Sequence, residues 1–280
     1  MTEPVSPLAP PDLDDRDWQV PAFTVAEFAP RRTDACIVIP VINEGPRVRN
    51  LLTRMRAQGL PERADILIID GGSTDGSLAE DFLRSVGVRA LLVKTGPGRL
   101  GAQLRCAYAY ALRQGYDGIV TIDGNDKDDP DPIPQFLDDL RAGFDFVQAS
   151  RFLAGGVAEN TPWVRTIAIR AVHAPVLSLA SGMRWTDTTQ GFRAYSRRLL
   201  LHPGLKPFRD IFSGYELLAY MNYRAPRLGM RCVERPTARR YPKGEVPTKI
   251  SAVRGNAKVL RCLIDAALGR YDPLETTENL

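Results

Sequence analysis

Four short apolar runs set the rhythm of the first half of the chain: "ACIVIPV" (Ala35–Val41), "ADILIID" (Ala64–Asp70), "ALLVK" (Ala90–Lys94) and "GIVTID" (Gly118–Asp123). Each is continuous and rich in β-branched residues, the pattern of a strand buried on both faces. Between them lie segments of helical period. In "NEGPRVRNLLTRMRAQG", Val48, Leu51, Leu52 and Met55 recur on one face and Gly59 ends the pattern. "SLAEDFLRSVG" and "AQLRCAYAYALRQG" fill the next two gaps. Strands alternating with helices predict a mainly parallel sheet with helices on both faces. In such sheets ligands bind beyond the carboxyl ends of the strands. Asn43–Glu44, Asp70 and Asp123 stand at three of those ends, which predicts one shared site.

From "DFVQASRF" (Asp145–Phe152) onward the alternation loosens. A long helical pattern (Trp163–Met183), a strand at "TQGFRAY", a helix around Glu216, a strand "MRCVERP" and an amphipathic stretch (Ile250–Leu268) follow. Residues 1–30 are rich in proline and acid and lack periodicity, so they read as a disordered or loosely docked arm. The expected organisation is this arm over 1–30, a regular strand–helix half over 31–150 and a looser half with a C-terminal helix over 151–280; the resemblance given below makes them the nucleotide-sugar-binding and acceptor-binding halves.

Charge sharpens that division. Residues 1–150 carry 16 basic and 23 acidic side chains, a net of −7, whereas residues 151–280 carry 21 and 10, a net of +11. A cationic half calls for an anionic partner such as phosphate, nucleic acid or an anionic membrane surface. The arginines do not line a helix face or an aromatic platform, which argues against nucleic acid. Cys36, Cys106, Cys232 and Cys262 lack metal-ligand spacing and read as free thiols in a reducing cytosol. No secretory leader or membrane-spanning run is expected. The nearest candidate, "IAIRAVHAPVLSLASGM", contains Arg170, His173 and Pro175, so it suits a membrane surface and not a span.

Candidate chemistry concentrates in loops. Five aspartates fall between Asp123 and Asp131 in "VTIDGNDKDDPDP". An Asp at a strand end with an oxygen ligand two residues on can hold Mg²⁺ or Mn²⁺ against a diphosphate, and the same acid can equally cap the next helix. Asp123 and Asn125 are the local ligand candidates, with Asp126 and Asp128 in reserve. "DGGSTDGS" (Asp70–Ser77) is a glycine-rich turn, and "KTGPGRLGAQLR" (Lys94–Arg105) joins glycines and cations to a helix amino end that attracts phosphate.

Taken together these stretches resemble family 2 glycosyltransferases of the GT-A fold, in particular the polyprenyl-phosphate, dolichol-phosphate mannose synthase-like branch. The resemblance runs from about Cys36 to Lys249. It rests on "PVINE" (Pro40–Glu44), "DGGSTDGS", "GPGRLGAQ", "DGN", "SRF" (Ser150–Phe152), "WVR" (Trp163–Arg165), "DTTQGFRAY" (Asp187–Tyr195) and "RRYPKGEVPTK" (Arg239–Lys249), in family order.

The resemblance implies a parallel nucleotide-binding sheet with a smaller acceptor-side α/β part, and inverting transfer of a sugar from a GDP- or UDP-sugar. The acceptor it implies is a lipid phosphate, reached by peripheral contact at the inner face of the cytoplasmic membrane. Pro40, Glu44 and Asp70 match residues that hold base and ribose, with Gly98, Arg99 and Gly124 also placed at the nucleotide. Asp123 matches the first carboxylate of the metal-binding Asp-X-Asp. Asn125 stands where the second is usual, which weakens the expected Mg²⁺ or Mn²⁺ site unless Asp126 or Asp128 steps in. Lys127, where the branch often has a metal-adjacent Gln, is placed to approach a phosphate. Arg151 and Arg165 match arginines that grip the acceptor phosphate, and Arg240 and Lys249 match a late segment closing over the diphosphate. A hydroxyl acceptor, with Asp187 or Glu216 as base, is the alternative, as is a non-catalytic nucleotide-sugar-binding protein. A nucleotidyltransferase would need a different glycine- and lysine-containing turn after the first strand than "PVINEGP".

Overall fold

The buried runs become the centre of one eight-stranded sheet in the computed structural model, which describes residues 13–242 and 254–274. Its strands are β1 (Phe23–Glu27), β2 (Ala35–Val41), β3 (Asp65–Asp70), β4 (Val88–Lys94), β5 (Gly118–Thr121), β6 (Phe146–Ser150), β8 (Arg193–Ser196) and β9 (Cys232–Pro236). They lie in the order β1-β4-β3-β2-β5-β8-β6-β9. β1 and β8 run antiparallel to their neighbours and the other pairings are parallel. A separate two-stranded ribbon pairs β7 (Val157–Glu159) with β10 (Ala238–Arg240) in parallel.

Because side chains alternate along a strand, β2 feeds two cores. Ile37 and Ile39 pack with α1 (Pro46–Ala57), α2 (Glu80–Ser85) and α4 (Ile133–Arg141) on one face. Cys36 and Val38 pack on the other, with α3 (Leu100–Arg113), α6 (Ala174–Ser181), α8 (Glu216–Arg227) and α9 (Arg254–Ala267). The alanine-rich α3 is buried along nearly its whole length. A Cβ at Gly101 would sit 2.5 Å from the Phe212 carbonyl oxygen, so the glycine lets that helix press against the 212–214 loop. The expected helix over Trp163–Met183 forms as α5 (Trp163–Ile167), a π-helical turn (Ala168–His173) and α6. The short α7 (Arg197–Leu200) is capped by the Ser196 hydroxyl, which accepts from the Leu199 N–H. Phe192 stacks on Phe136 at 4.4 Å and Tyr195 on Phe146 at 5.3 Å, which makes both aromatics core residues.

Two features differ from the sequence expectations. Of the segment 1–30, the described residues 13–30 are docked on the rest of the fold. Trp18 stacks on Phe208 with ring centres 3.8 Å apart, and β1 pairs along β4 as an edge strand. Proline and acid masked that strand, whose side chains are mostly exposed and carry little apolar signal. Residue 150 closes β6, and the sheet runs on through β8 and β9, so the two expected halves share one sheet.

Candidate functional site

The carboxyl ends of β2, β3 and β5 are tied together before any ligand is considered. The Gln103 side-chain amide, on α3, donates to the carbonyls of Val41 (3.0 Å) and Ile69 (3.1 Å). Asp70 accepts from the Ser73 N–H (2.9 Å) and hydroxyl (2.6 Å), which closes the turn after β3. Asn43, held at φ 48°, accepts from the Thr74 N–H at 2.8 Å, and Asp75 accepts from the Gly45 N–H at 2.7 Å. The loops after β2 and β3 are therefore one unit, with Pro40 and Asp70 buried and Glu44 half-buried beside them. Gly98 and Arg99 are exposed at the amino end of α3, whose Arg99 N–H donates to the Ser213 carbonyl at 2.8 Å. Gly124 packs so closely that an added Cβ would lie 3.0 Å from Val41 and 3.1 Å from the Pro40 carbonyl.

Asp123 is half-buried at the end of β5. Its Oδ2 faces two donors, Arg239 Nη2 and Asn125 Nδ2, each at 3.4 Å. Its Oδ1 lies over Gly191, where a Cβ would come within 2.4 Å. That contact explains the glycine of "TQGFRAY". The Asn125 side-chain oxygen is turned away and accepts the Lys127 N–H at 3.2 Å. Asp126, at φ 57°, pairs with Arg54 at 2.6 Å. Asp128 is fully buried and pairs with Arg239.

The reserves expected for a metal are thus engaged by arginines, and Asn125 offers Asp123 its amide N–H. Mg²⁺ and Mn²⁺ seek several hard oxygen ligands. Among the described residues, no group of three or more His, Cys, Asp or Glu side chains could hold an ion. Asp123 offers one carboxylate, and a divalent ion held there would take its other oxygen ligands from a diphosphate and water.

Cations dominate what remains. Lys127 Nζ, the Arg239 guanidinium and the Arg165 guanidinium lie 5.0, 5.7 and 5.9 Å from the centre of the Tyr241 ring. Burial lowers the pKa of the Lys127 ammonium, and the neighbouring Arg239 lowers it further. Burial and then Arg239 and Arg151 do the same to Arg165. Burial pushes the Tyr241 hydroxyl up, but Arg239 and Arg165 outweigh it and hold it below the ordinary tyrosine value.

Arg151 follows β6 and is buried. Its Nε donates to Asp187 at 2.7 Å and its Nη2 to Thr189 at 3.2 Å, while the buried Nη1 has no partner among the described residues. Asp187 also accepts from the Thr189 N–H (3.1 Å) and Gln190 Nε2 (3.1 Å), so its oxygens are taken. Glu234 holds that loop by accepting from the Thr186 and Asp187 N–H groups at 2.9 and 3.0 Å. Glu216, a candidate base, is buried and accepts the Gly214 N–H.

The late segment departs from expectation. Arg240 is half exposed and pairs with Asp129 (2.8 Å) and Glu159 (3.3 Å), away from Asp123. Its neighbour Arg239 is the residue brought to Asp123 and Asp128. Register decides this: adjacent residues of β10 point to opposite sides, and the bridge Asp128↔Arg239 turns Arg239 inward. Lys249 lies outside the described residues. Gln103, Arg239 and Tyr241 were not singled out from sequence, although Arg239 sits beside the arginine that was.

A family model described as glycosyl transferase family 2 matches residues 36–202. The undecaprenyl-phosphate mannosyltransferase of Micrococcus luteus is 32% identical over 206 residues, 71% of this chain and 80% of that protein. The polyprenol monophosphomannose synthase of Mycolicibacterium smegmatis is 29% identical over 203 residues, 71% of this chain and 75% of that one. Among solved structures, glucosyl-3-phosphoglycerate synthase from Mycobacterium tuberculosis, in complex with Mn²⁺ and UDP-glucose, aligns with a TM-score of 0.59 at 18% identity, over 83% of this chain and 78% of that one. That likeness is one of fold, the GT-A arrangement expected from the sequence.

Proposed function

The chain belongs to glycosyl transferase family 2, and on that premise we propose that it moves a sugar, with inversion, from a nucleoside-diphosphate sugar to a polyprenyl phosphate. Both relatives named above are polyprenyl-phosphate mannose transferases by their descriptions. The observation that carries the acceptor reading is Arg151. Asp187 and Thr189 fix two of its nitrogens, and the third is buried with no partner among the described residues. Buried donors are rarely left unpaired, so this one is reserved for an acceptor atom that arrives with substrate. Arg165 stands near enough for Arg151 to lower its pKa, and two guanidinium groups suit the oxygens of one phosphate.

In this reading Pro40, Glu44 and Asp70 receive the nucleoside, and the amino end of α3, with Gly98 and Arg99, lies toward the phosphates. The acceptor's phosphate oxygen supplies the electron pair for the new bond to the sugar's anomeric carbon. The old bond's pair leaves on the diphosphate. The attacking oxygen is already anionic, so no proton has to be removed. A hydroxyl acceptor would need a base, and both candidates are engaged: Asp187 by Arg151 and the Thr189–Gln190 loop, Glu216 by Gly214.

A lipid substrate also needs a way to the chain. Among the described residues no helix is long and apolar enough to cross a membrane. Exposed apolar side chains gather instead on α5 and α6 (Trp163, Val164, Ile167, Leu179) and along one stripe at α9 (Leu260, Ile264, Leu268). α6 packs on α9, so these stripes are neighbours. They suit peripheral docking on an anionic bilayer.

Transfer assays with GDP- and UDP-sugars test the reading, using a short polyprenyl phosphate beside the same polyprenol without phosphate. Product from the phosphate alone is expected. Equal product from the free alcohol would overturn it. Flotation with anionic liposomes is expected to carry the chain, and Leu179→Glu, at a side chain 87% exposed, to reduce the bound fraction several-fold without changing the thermal midpoint.

A further inference from the structure

We infer that Tyr241 completes the pocket for the acceptor's phosphate, its hydroxyl donating a hydrogen bond to a phosphate oxygen held by Arg151 and Arg165. The inference rests on the acceptor reading above and adds a residue to it.

Nothing inside the described chain receives that hydroxyl's proton. Tyr241 is 5% exposed, and its side-chain oxygen is buried with no hydrogen-bond partner among the described residues. Three side chains flank the ring: Lys127 with Nζ at 5.0 Å from its centre, Arg239 at 5.7 Å and Arg165 at 5.9 Å. Lysine and arginine side chains donate and do not accept, so none of the three can take the proton. A buried O–H with donors on its flanks calls for an oxygen that arrives from outside the chain. Burial raises the hydroxyl's pKa, yet Arg239, Arg165 and lastly Arg151 bring it below the ordinary tyrosine value. A more acidic hydroxyl is a stronger donor toward an anion.

One loop brings Tyr241 to the two arginines. Arg151 follows β6, where the Ser150 carbonyl accepts the Thr237 N–H at 3.0 Å, and the Val157 N–H donates to the Thr237 carbonyl at 3.0 Å. The chain after Arg151 therefore turns straight back. Gly156 permits this, since a Cβ there would lie 2.8 Å from the Arg151 carbonyl oxygen. β7 then runs beside β10 and holds Tyr241 just past its end. The Tyr241 N–H donates to the Glu159 carbonyl at 3.1 Å, and the Asn160 side-chain amide donates to the Tyr241 carbonyl at 3.0 Å. The segment that spaces Arg151 from Arg165 thus also fixes Tyr241. A donor held in place before its ligand arrives loses little freedom on binding.

The ring by itself would serve as a cover for the cations with the hydroxyl idle. Tyr241→Phe separates the two roles, because it keeps the ring and removes only the O–H. The test is sugar transfer to a short polyprenyl phosphate by the full chain and by Tyr241→Phe, with calorimetric titration of UDP and GDP and a thermal melt of each. Tyr241→Phe is expected to raise the acceptor Michaelis constant about tenfold to hundredfold, the loss of a hydrogen bond to a charged group. Nucleotide affinity should stay within about twofold of the parent. The thermal midpoint without substrate should be equal or higher, since the variant removes a buried hydroxyl that has nothing to bond. An unchanged acceptor Michaelis constant would overturn the inference and leave the acceptor reading standing. So would weakened nucleotide binding with the acceptor constant unmoved, which would assign the hydroxyl to the diphosphate. If the parent chain transfers no sugar to the phosphate, the acceptor reading fails first and this inference falls with it.

Discussion

At the amino ends of the strands, Asp65 accepts from the Arg32 N–H (2.9 Å), the Tyr116 hydroxyl (2.8 Å) and Arg32 Nε (3.4 Å). Asp145, beside β6, accepts from Ser196 (2.8 Å), Arg198 Nε (2.9 Å) and the Arg231 N–H (2.9 Å). At the carboxyl ends the polar groups are as deeply buried, yet Arg151 Nη1, Arg239 Nε, Asp128 Oδ1 and Thr188 Oγ1 are without partners among the described residues. At the lower end Arg89 Nε, and Asp272 Oδ1 beside Arg224, are likewise without partners among the described residues. Both ends bury charge, but the lower clusters around Asp65 and Asp145 complete their hydrogen bonds internally. At the upper end buried donors and acceptors remain without partners among the described residues, the arrangement the proposed function would use.

The largest effect is expected at Arg239. Arg239→Ala strands the buried Asp128 carboxylate, and losing one member of a buried pair costs about 3–5 kcal/mol. Denaturant unfolding should show that loss, together with loss of transfer. Removing both charges in Asp128→Leu with Arg239→Met should recover most of the stability while transfer stays lost. Recovery of both would place Arg239 with the structural pairs of the lower end.

Arg151→Ala comes next. It should raise the acceptor Michaelis constant about tenfold to hundredfold, equivalent to roughly 1.5–3 kcal/mol of charged hydrogen bonding. Nucleotide affinity should stay unchanged. A change confined to the nucleotide would move Arg151 from the acceptor to the diphosphate.

Asp145→Asn is the counterpart at the lower end and the smallest change, about 1–3 kcal/mol in stability with both Michaelis constants unaltered. Burial alone would raise the Asp145 pKa, but the hydrogen bonds from Arg198, the Arg231 N–H and Ser196 outweigh it and hold the carboxyl below its ordinary value. A depressed folded value means the stabilisation is complete above the unfolded pKa of about 4 and fades as pH falls through the folded one. Acid unfolding curves should therefore be steeper for the parent than for Asp145→Asn. Parallel curves would mean that the clamp adds nothing.

Legibility in the sequence followed the same division. β2, β3 and β5 were readable because strands buried on both faces are uniformly apolar. β1 was not, because an edge strand with exposed side chains looks like loop. At the site, Asp123, Arg151 and Arg165 stand in motifs whose order along the chain can be read. That Arg239 and not Arg240 pairs with Asp123 could not be read. A one-residue step in a three-residue strand sends the side chain to the opposite side, and only the pairing of β10 with β7 and with Asp128 fixes that step. Gln103 was equally silent: one amide in an alanine-rich helix carries no pattern, although it fastens the ends of two strands.

The crossing of β10 over the acidic loop also bears on when that loop is completed during synthesis. The strands that form the nucleotide end of the sheet are complete in the chain by Thr121, whereas Arg239 and Tyr241 follow more than a hundred residues later. A nascent chain emerges amino end first, and domains fold as their residues become available. A chain stalled before residue 238 would have those strands without the guanidinium that pairs with Asp123 and Asp128. The acidic loop would then gain its partner in one late step, as the ribbon closes on Asp128.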